Sequence, residues 1–276
     1  MRVTLIISVY NKIRELELVF HALERQSVSD FDVVLADDGS GNEMTEFLEK
    51  AKHEFSFPML RIWQDNKGFR KNRILNKALT AADTDYLIFI DGDCIPNSIF
   101  IESHINQSKA GSVLCGKRIQ LGKKFSEALT KENIIRGEYE KRLFRLLMDS
   151  VNKNETSTKH PEQSYVIKNQ FIRNKFNTSK ISMLGCNFSV EKELLLSING
   201  FDENYAGPGL GEDSDIEFRL RLRGIKFETV RNLANVYHIY HTKTIEDKTN
   251  FEYFTKVKEG KKFFCDNGLL KTKYNN

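Results

Sequence analysis

The chain has 276 residues, of which 40% are apolar, 11% aromatic and 29% charged. That composition supplies the apolar side chains of an ordinary core and excludes a chain that is disordered throughout. The formal net charge of +4 is only mildly basic, so it does not indicate a nucleic-acid-binding protein, and no nucleic-acid partner is expected.

Alternating strands and helices are predicted over the first 90 residues. The strands are short runs of β-branched and other apolar residues, and the helices carry apolar residues three and four positions apart. The predicted strands are 3–9, 31–36, 59–63 and 86–90, and the predicted helices are 13–26, 42–53 and 70–81. Near-continuous apolar strands that alternate with helices indicate an α/β fold, with a mostly parallel central sheet flanked by helices.

The rest of the chain has a less regular pattern. Residues 125–180 are rich in charged and polar side chains and are interpreted as a helical insertion over the site, with one helix over 126–148. Residues 242–276 form a basic-aromatic tail. Further strands are predicted at 183–190, 226–230 and 235–241, and further helices at 191–198 and 214–223.

Two aspartates follow the fourth predicted strand. The carboxyl ends of parallel strands meet at one edge of a sheet, where ligands of α/β proteins bind. Asp91 and Asp93 are one residue apart at this edge, on either side of Gly92. Such carboxylates are typical ligands of Mg²⁺ or Mn²⁺ ions that also bind substrate phosphates. A turn that ends the strand explains the Asp-Gly pair equally well.

Four acidic residues lie between Glu212 and Glu217, directly after the glycine-rich stretch 207–211. Glycine permits close backbone approach and loop movement, and a carboxylate placed there can deprotonate a hydroxyl group. Capping of the following helix accounts for one of Asp213 and Asp215, but it does not account for the whole acidic group.

Two histidines, His238 and His241, end the last predicted strand. In an extended segment their side chains point to opposite faces, so only one of them is expected to join a given metal ion. His241 stands at the end, where the chain can turn towards the site. A structural or exposed histidine pair is the alternative.

Polar and basic residues elsewhere suggest a nucleotide site. Asp38 follows the second strand and can accept a hydrogen bond from a base or ribose, and Tyr10 follows the first strand and can stack on a base. The alternatives are an Asx-type turn and plain packing. Arg70, Lys71 and Arg73 begin a helix and favour a diphosphate, although a solvated helix face explains such a run as well.

Taken together, these segments resemble the inverting glycosyltransferase family 2, which has the GT-A fold. The resemblance rests on TLIISVYN, FDVVLADDGS and LIFIDGDCIP within residues 1–120. Residues 182–241, with GLGEDSD and HIYH, resemble the galactosyltransferase-type region of chondroitin-type polymerases, polypeptide GalNAc-transferases and β-1,4-galactosyltransferases. The insertion and the tail are not covered.

The resemblance implies one GT-A domain over residues 1–241. Residues 1–95 would be its nucleotide-binding half, and residues 96–241 would be its acceptor-binding half, which includes the insertion. A tryptophan that is usual before the acidic motif is absent, and Leu210 stands there instead.

The resemblance also implies roles for single residues. Asp93 and His241 match metal ligands, joined by Asp91 and by His238. Asp213 matches the catalytic base, and Glu212 matches its partner that binds acceptor or sugar. The match around residues 69–72 is imperfect, so it leaves open whether Arg70 or Lys71 contacts the diphosphate. The expected nucleotide-sugar-binding residues are Ser8, Tyr10, Asp38, Phe69, Arg70, Lys71, Arg73, Asp91, Gly92 and Gly211.

The implied activity is the transfer of a sugar from a UDP-sugar to a hydroxyl of a glycan or lipid-linked acceptor in surface polysaccharide synthesis, with Mn²⁺ or Mg²⁺ as cofactor. Gal, GalNAc and GlcNAc remain open. A sugar nucleotidyltransferase is one alternative, but there is no glycine-rich phosphate loop near the N-terminus. A catalytically inactive carbohydrate-binding homologue is another, and the acidic residues argue against it.

The expected location is the cytoplasm. The four cysteines form no CxxC pair, and the apolar run 3–9 is too short for a signal peptide. The basic-aromatic tail, and the insertion with it, predict a peripheral contact with the inner membrane surface. A solvated terminal helix with one packed face is the alternative.

Overall fold

The first 91 residues alternate between strands and helices in the computed structural model, which describes residues 1–176, 180–242 and 247–271. The elements are β1 (Val3–Val9), α1 (Ile13–Leu23), β2 (Phe31–Asp37), α2 (Asn42–Glu54), β3 (Met59–Trp63), α3 (Lys71–Ala81) and β4 (Tyr86–Asp91). This order confirms the sequence prediction, except that α1 ends three residues earlier than expected.

The second part of the chain contains shorter elements. The strands are β5 (Cys94–Pro96), β6 (Ser112–Cys115), β7 (Lys117–Gln120), β8 (Phe188–Glu191), β9 (Lys226–Thr229) and β10 (Asn235–His238). The helices are α4 (Phe100–Gln107), α5 (Lys123–Glu127), α6 (Lys131–Ile135), α7 (Leu143–Val151), α8 (Gln170–Phe176), α9 (Lys192–Leu196), α10 (Glu212–Leu222) and α11 (Lys248–Gly260). Short 3₁₀ turns cover Glu138–Lys141 and Pro161–Ser164.

Seven strands form the central sheet in the order β3-β2-β1-β4-β8-β6-β9. All neighbours are parallel except β8, which runs antiparallel to both β4 and β6. A second sheet of three strands has the order β5-β10-β7. In this sheet β5, which closely follows β4, pairs with β10, the strand that leads to the two histidines. The mostly parallel α/β sheet is the predicted fold class.

The sheet is covered on both faces because successive side chains of a strand point to opposite sides. On β1, Leu5 and Ile7 pack in the core cluster that contains Phe20 of α1. Ile6, between them, packs in the other cluster with Ile74 of α3. Helices on the two faces therefore leave the carboxyl edge of the sheet free for polar residues.

The helix predicted over 126–148 is wrong as a single element, because the chain breaks into α5, α6, a 3₁₀ turn and α7. Thr130 caps α6 by accepting a hydrogen bond from the backbone of Asn133 at 3.3 Å. Gly137 then takes a φ of +67°, a left-handed conformation that ends the helical path. Residues 177–179 of the insertion and 243–246 and 272–276 of the tail lie outside the described residues. Among the described residues, the helices are too short or too polar to span a lipid bilayer.

Candidate active site

The ends of β1 and β4 bring Ser8 and Asp91 together. The two residues are paired in the parallel register, and the Ser8 hydroxyl donates to a carboxylate oxygen of Asp91 at 2.6 Å. The backbone N–H of Gly92 donates to the carbonyl of Ser8 at 2.8 Å. A side chain at position 92 would come within 3.2 Å of this carbonyl and of Val9, so glycine lets the two strand ends pass closely.

Lys71, at the start of α3, links two of the expected site residues. Its ammonium group donates to Asp91 at 2.8 Å and also to the carboxylate of Glu212, which begins α10. Burial raises the pKa of Asp91, but Lys71 and the hydrogen bonds from Lys71 and Ser8 outweigh it and lower the pKa to about 2. Burial raises the pKa of Glu212 as well, and the negative charges of Asp213 and Asp91 raise it further, against the effect of Lys71.

Asp93 faces both histidines. Nε2 of His238 lies 3.6 Å from a carboxylate oxygen of Asp93, and Nε2 of His241 lies 3.7 Å from the same oxygen. The two imidazoles would point to opposite faces only if the segment were extended through His241, and it is not. The strand ends at His238, and the chain then turns, so that His241 comes round to the same carboxylate.

The donor atoms around Asp93 fit a divalent cation. The Asp93 carboxylate, the Cys94 thiol and the His238 imidazole have ligand atoms within 4.8 Å of one another. The ammonium group of Lys12 lies 2.5 Å from the same oxygen of Asp93 that faces the histidines. A positive charge is thus already held at the point where a metal ion would bind, and the partly exposed Lys12 side chain can leave it.

The carboxylate of Asp213 is held by two backbone groups. The N–H of Gly185 donates to one of its oxygens at 3.1 Å, and the N–H of Ser214 donates to the other at 2.7 Å. Among residues 1–176, 180–242 and 247–271, Asp213 forms no ion pair, in contrast to Glu212. A small pocket beside it is lined by Ser8, Lys71, Leu75, Phe89, Ile90, Gly185, Phe188, Phe201, Glu212 and Asp213.

The loop before α10 approaches closely because Gly211 has no side chain. A Cβ atom at this position would lie 2.7 Å from the ring of Tyr205. The other two acids of the group Glu212–Glu217 have structural partners. Asp215 is fully buried against Arg219, and Glu217 accepts a hydrogen bond from the backbone of Met183. The acidic group therefore divides into two site residues and two residues that hold α10 in place.

The two aspartates at the end of β2 differ in their surroundings. Asp37 is fully buried and paired with Arg61 at 2.6 Å. The two oxygens of Asp38 accept hydrogen bonds from Gln64 at 2.6 Å and from the backbone N–H of Arg70 at 2.7 Å. Tyr10 is about half exposed, and its hydroxyl accepts a hydrogen bond from Asn66. Asp38 and Tyr10 thus border the same loop, residues 64–70.

The basic run at the start of α3 divides in a similar way. Lys71 is bound to the two carboxylates described above, and the guanidinium of Arg70 donates to the carbonyl of Asp65. Arg73 is exposed and Phe69 is half-buried. These residues lie around one end of α3, where Arg70 contacts Asp38 through its backbone N–H and Lys71 contacts Asp91 and Glu212 through its side chain.

Sequence reasoning missed two cations of the site, Lys12 and Arg118. Arg118 lies on β7, where its neighbours across the small sheet are Val236 of β10 and, beyond it, Pro96 of β5. Its guanidinium donates to the thiol of Cys186 at 3.6 Å and forms no carboxylate ion pair within the described chain. The interaction with Cys186 raises the pKa of Arg118, against the effect of burial. The position of Lys12 one residue after Tyr10-Asn11 was the available signal for the first cation.

Two models of known protein families match the chain. Residues 4–176 match a model described as glycosyl transferase family 2, and residues 167–242 match one described as the N-terminal domain of galactosyltransferase. The first match covers more than half of the chain, so the chain belongs to glycosyl transferase family 2. It is a glycosyltransferase.

The curated proteins that resemble this chain share only 24–30% of its residues in the aligned parts. The chain is 24% identical to chondroitin synthase of Escherichia coli over 244 residues, which are 85% of this chain and 34% of that protein. It is 26% identical to the uncharacterized glycosyltransferase YfnE of Bacillus subtilis over 281 residues, covering 92% of this chain and 69% of YfnE. A cholesterol galactosyltransferase of Borreliella burgdorferi is 30% identical over 119 residues, which are 42% of this chain and 32% of that protein. The chain thus spans only about a third of the E. coli protein.

Solved structures agree on the fold, which is GT-A. A mannosyltransferase from Pyrobaculum calidifontis in complex with GDP-Man and Mn²⁺ superposes with a TM-score of 0.57 at 15% identity, over 88% of this chain and 58% of that one. Residues 1–349 of S. aureus TarS in complex with UDP give a TM-score of 0.57 at 16% identity, over 95% of this chain and 65% of that one. At these identities the likeness concerns the fold alone.

Proposed function

We propose that the protein is an inverting, metal-dependent hexosyltransferase, which moves Gal, GalNAc or GlcNAc from a UDP-sugar to a hydroxyl of a glycan or lipid-linked acceptor. The observation that carries the proposal is the link through Lys71. It connects the start of α10, with Glu212 and Asp213, to Asp91 beside the expected metal ligands. A nucleotide-sugar whose phosphates lie near Asp93 would then place its sugar near Asp213.

The nucleoside would bind at the loop that Asp38 and Tyr10 border, with Asp38 directed to the base and Tyr10 stacking on it. Ser8 and Asp91 would meet the ribose side, and Phe69, Arg70 and Arg73 would border the entrance. For the diphosphate we favour Arg118 and Lys12 over Lys71, because Lys71 already neutralises two carboxylates. Within the described residues, the Cys186 thiol is the only side chain that accepts a hydrogen bond from Arg118, and a partly buried guanidinium is stabilised when an anion binds it.

Asp93, His238 and His241 would hold the metal ion, with Asp91 close by. Imidazole nitrogen is a better ligand for transition metals than for Mg²⁺, so two histidines favour Mn²⁺. When bound, such an ion acts as a Lewis acid that neutralises the charge of the leaving diphosphate. The residues themselves must keep both imidazoles unprotonated, and burial lowers the pKa of His238 to about 4.

Asp213 would act as the general base. It takes the proton of the acceptor hydroxyl as that oxygen bonds to the anomeric carbon, while the bond from this carbon to the diphosphate oxygen breaks. The nucleoside diphosphate leaves on the opposite side, which inverts the anomeric configuration. Glu212 stays bound to Lys71, so it is placed to accept a hydrogen bond from the sugar or acceptor rather than to remove the proton.

The acceptor and the sugar are inferred from relatives. The proteins most useful here are named chondroitin synthase and cholesterol galactosyltransferase, and these names support a galactose-type sugar and a glycan or lipid acceptor. We place the nucleoside of the donor in the half 1–95 and the acceptor in the half 96–241. Surface polysaccharide synthesis on the cytoplasmic side of a membrane would supply both substrates.

The experiment that tests the proposal measures product release from UDP-sugars with Mn²⁺. Release of UDP, lost when a chelator is added, is expected, whereas release of pyrophosphate would identify a nucleotidyltransferase instead. Asp213→Asn should keep UDP affinity and lower turnover by about 10²–10⁴-fold. Asp215→Asn changes the structural acid of the same helix and serves as the comparison for effects on folding. Near-normal turnover in Asp213→Asn would contradict the assignment of the base.

A further inference from the structure

Helix α7 in the insertion leaves a row of large apolar side chains in solvent. Phe144, Met148 and Val151 are 74%, 58% and 69% exposed, and Leu147 beside them is 38% exposed. Their positions are three, four and seven residues apart, so they lie on one face of the helix. We call these four residues the α7 face.

The opposite side of α7 is firmly attached to the protein. Leu146 is buried in the main core cluster. The carboxylate of Asp149 accepts a hydrogen bond from the backbone of Thr158 at 2.7 Å. The helix therefore already has a packed side, and the α7 face is a second apolar surface for which the described residues provide no cover.

Positive charge borders the α7 face. Lys141 and Arg145 are exposed, and neither forms an ion pair with a residue of the described chain. The nearby carboxylates are bound elsewhere, because Glu138 pairs with Arg142 and Glu140 pairs with Arg25. The surface thus combines an apolar centre with cations at its edge.

We propose that the α7 face docks on an anionic lipid surface. A bilayer interface offers an apolar layer and negative headgroups side by side, which match the two parts of this surface. A second copy of the chain would match only the apolar part, because it brings the same two cations. A contact this small gives weak and reversible binding, strengthened by charge and weakened by salt.

The position of α7 connects this surface to the active site. Thr158, which Asp149 holds, accepts a hydrogen bond from the backbone of Gly122 at 3.0 Å. The neighbouring Leu121 donates its N–H to the carbonyl of His238 at 2.9 Å. Docking through α7 would hold the histidine side of the cleft near the membrane, where a lipid-linked acceptor presents its hydroxyl. This last step rests on the proposed function, whereas the docking itself does not.

The test is flotation of the full chain with two kinds of vesicle, pure phosphatidylcholine and phosphatidylcholine with phosphatidylglycerol. The wild-type protein should float with the anionic vesicles and much less with the neutral ones. Phe144→Ser combined with Met148→Ser should lower the bound fraction about tenfold, and Lys141→Gln with Arg145→Gln should remove the preference for anionic lipid. All four side chains are exposed, so the fold should tolerate these changes.

Phe251→Ser is the matched control, because Phe251 is also a largely exposed phenylalanine, on the basic helix α11. It should leave flotation unchanged. Loss of flotation in this variant alone would assign the contact to the tail and overturn the proposal, as would a wild-type protein that stays in solution. A concentration-dependent dimer that the Phe144/Met148 variant abolishes would identify a second copy as the occupant. UDP release from a UDP-sugar in solution, measured on the same variants, shows separately whether the proposed function holds.

Discussion

The ammonium group of Lys71 binds the carboxylate of Glu212, a residue 141 positions further along the chain. Because Lys71 also binds Asp91, one side chain joins α3, the end of β4 and the start of α10. Attraction to Asp91 and Glu212 outweighs burial and raises the pKa of Lys71, so it stays charged throughout the working range of an enzyme. The carboxylates of Asp91 and Glu212 are thus bridged by one fixed positive charge.

Removing that charge should destabilise the protein. Lys71→Met leaves Asp91 and Glu212 as neighbouring carboxylates without a partner, and we expect the free energy of unfolding in urea to fall by about 3 kcal/mol. Lys77→Met, on the exposed side of the same helix, is the control and should change it little. If the two variants unfold with the same free energy, the Lys71 contacts make no measurable contribution to the stability of the fold.

Arg118 should be needed for the diphosphate but not for the nucleoside. Arg118→Gln is expected to weaken UDP binding about tenfold or more in calorimetry, because a charged hydrogen bond to phosphate is lost. Uridine should bind as before. Lys117→Gln provides the control, since Lys117 is the adjacent cation on β7 and donates to Ser182 at 2.7 Å instead. A parallel loss of uridine affinity would point to a general distortion of the site.

Lys12 and the metal ion should compete for Asp93. In the absence of nucleotide, Lys12→Met is expected to raise the affinity for Mn²⁺, and His241→Ala is expected to lower it about tenfold or more, because one ligand is lost. The free Mn²⁺ in a titration can be followed by electron paramagnetic resonance. His160→Ala removes an exposed histidine with a carboxylate neighbour of its own and should have no effect. Unchanged Mn²⁺ affinity in His241→Ala would remove it from the metal site.

His104 should make the protein sensitive to mild acid. It is fully buried, its Nε2 donates to Asn187, and its Nδ1 accepts from Ser189, so burial lowers its pKa from 6.5 to about 3. Below about pH 6.5 His104 is protonated in the unfolded chain but stays neutral in the folded protein. The free energy of unfolding therefore falls as the pH drops towards the pKa of His104 in the folded protein.

For this histidine alone the loss between neutral pH and about pH 5 is about 2 kcal/mol. Urea unfolding at both pH values measures it. His104→Gln keeps a polar side chain and should flatten the pH dependence by that amount, although it lowers stability at neutral pH. If the free energy of unfolding of His104→Gln falls as much between the two pH values as that of the wild type, His104 does not cause the loss of stability in acid.

Much of the fold followed from local sequence. The strands β1, β2 and β4 are apolar almost throughout, because they are covered on both faces, and this pattern marks them without reference to the rest of the chain. The small sheet escaped prediction. β5 and β7 have three and four residues, so neither shows a period, and their pairing partner β10 lies far along the chain.

The site was predictable where its residues follow strand ends and unpredictable where contacts are distant. Asp91 is the last residue of β4 and Asp93 follows two positions later, and this position alone suggested a role as metal ligands. Lys12 meets Asp93 from 81 positions away, and Arg118 meets Cys186 from 68 positions away, so no spacing in the sequence reveals either pair. The strand was predicted to extend through His241, three residues too far, because the end of β10 at His238 has no signal of its own.

During translation, Asp91 and Asp93 are synthesised well before His238 and His241. A nascent chain that has emerged through β7 already has the parallel strands around β1, but β10 must still arrive to pair with both β5 and β7. Chains fold from the N-terminus as they are made. A truncated or stalled product can therefore assemble the parallel strands around β1 and still lack the two histidines and Asp213, so under the proposed function it would be inactive.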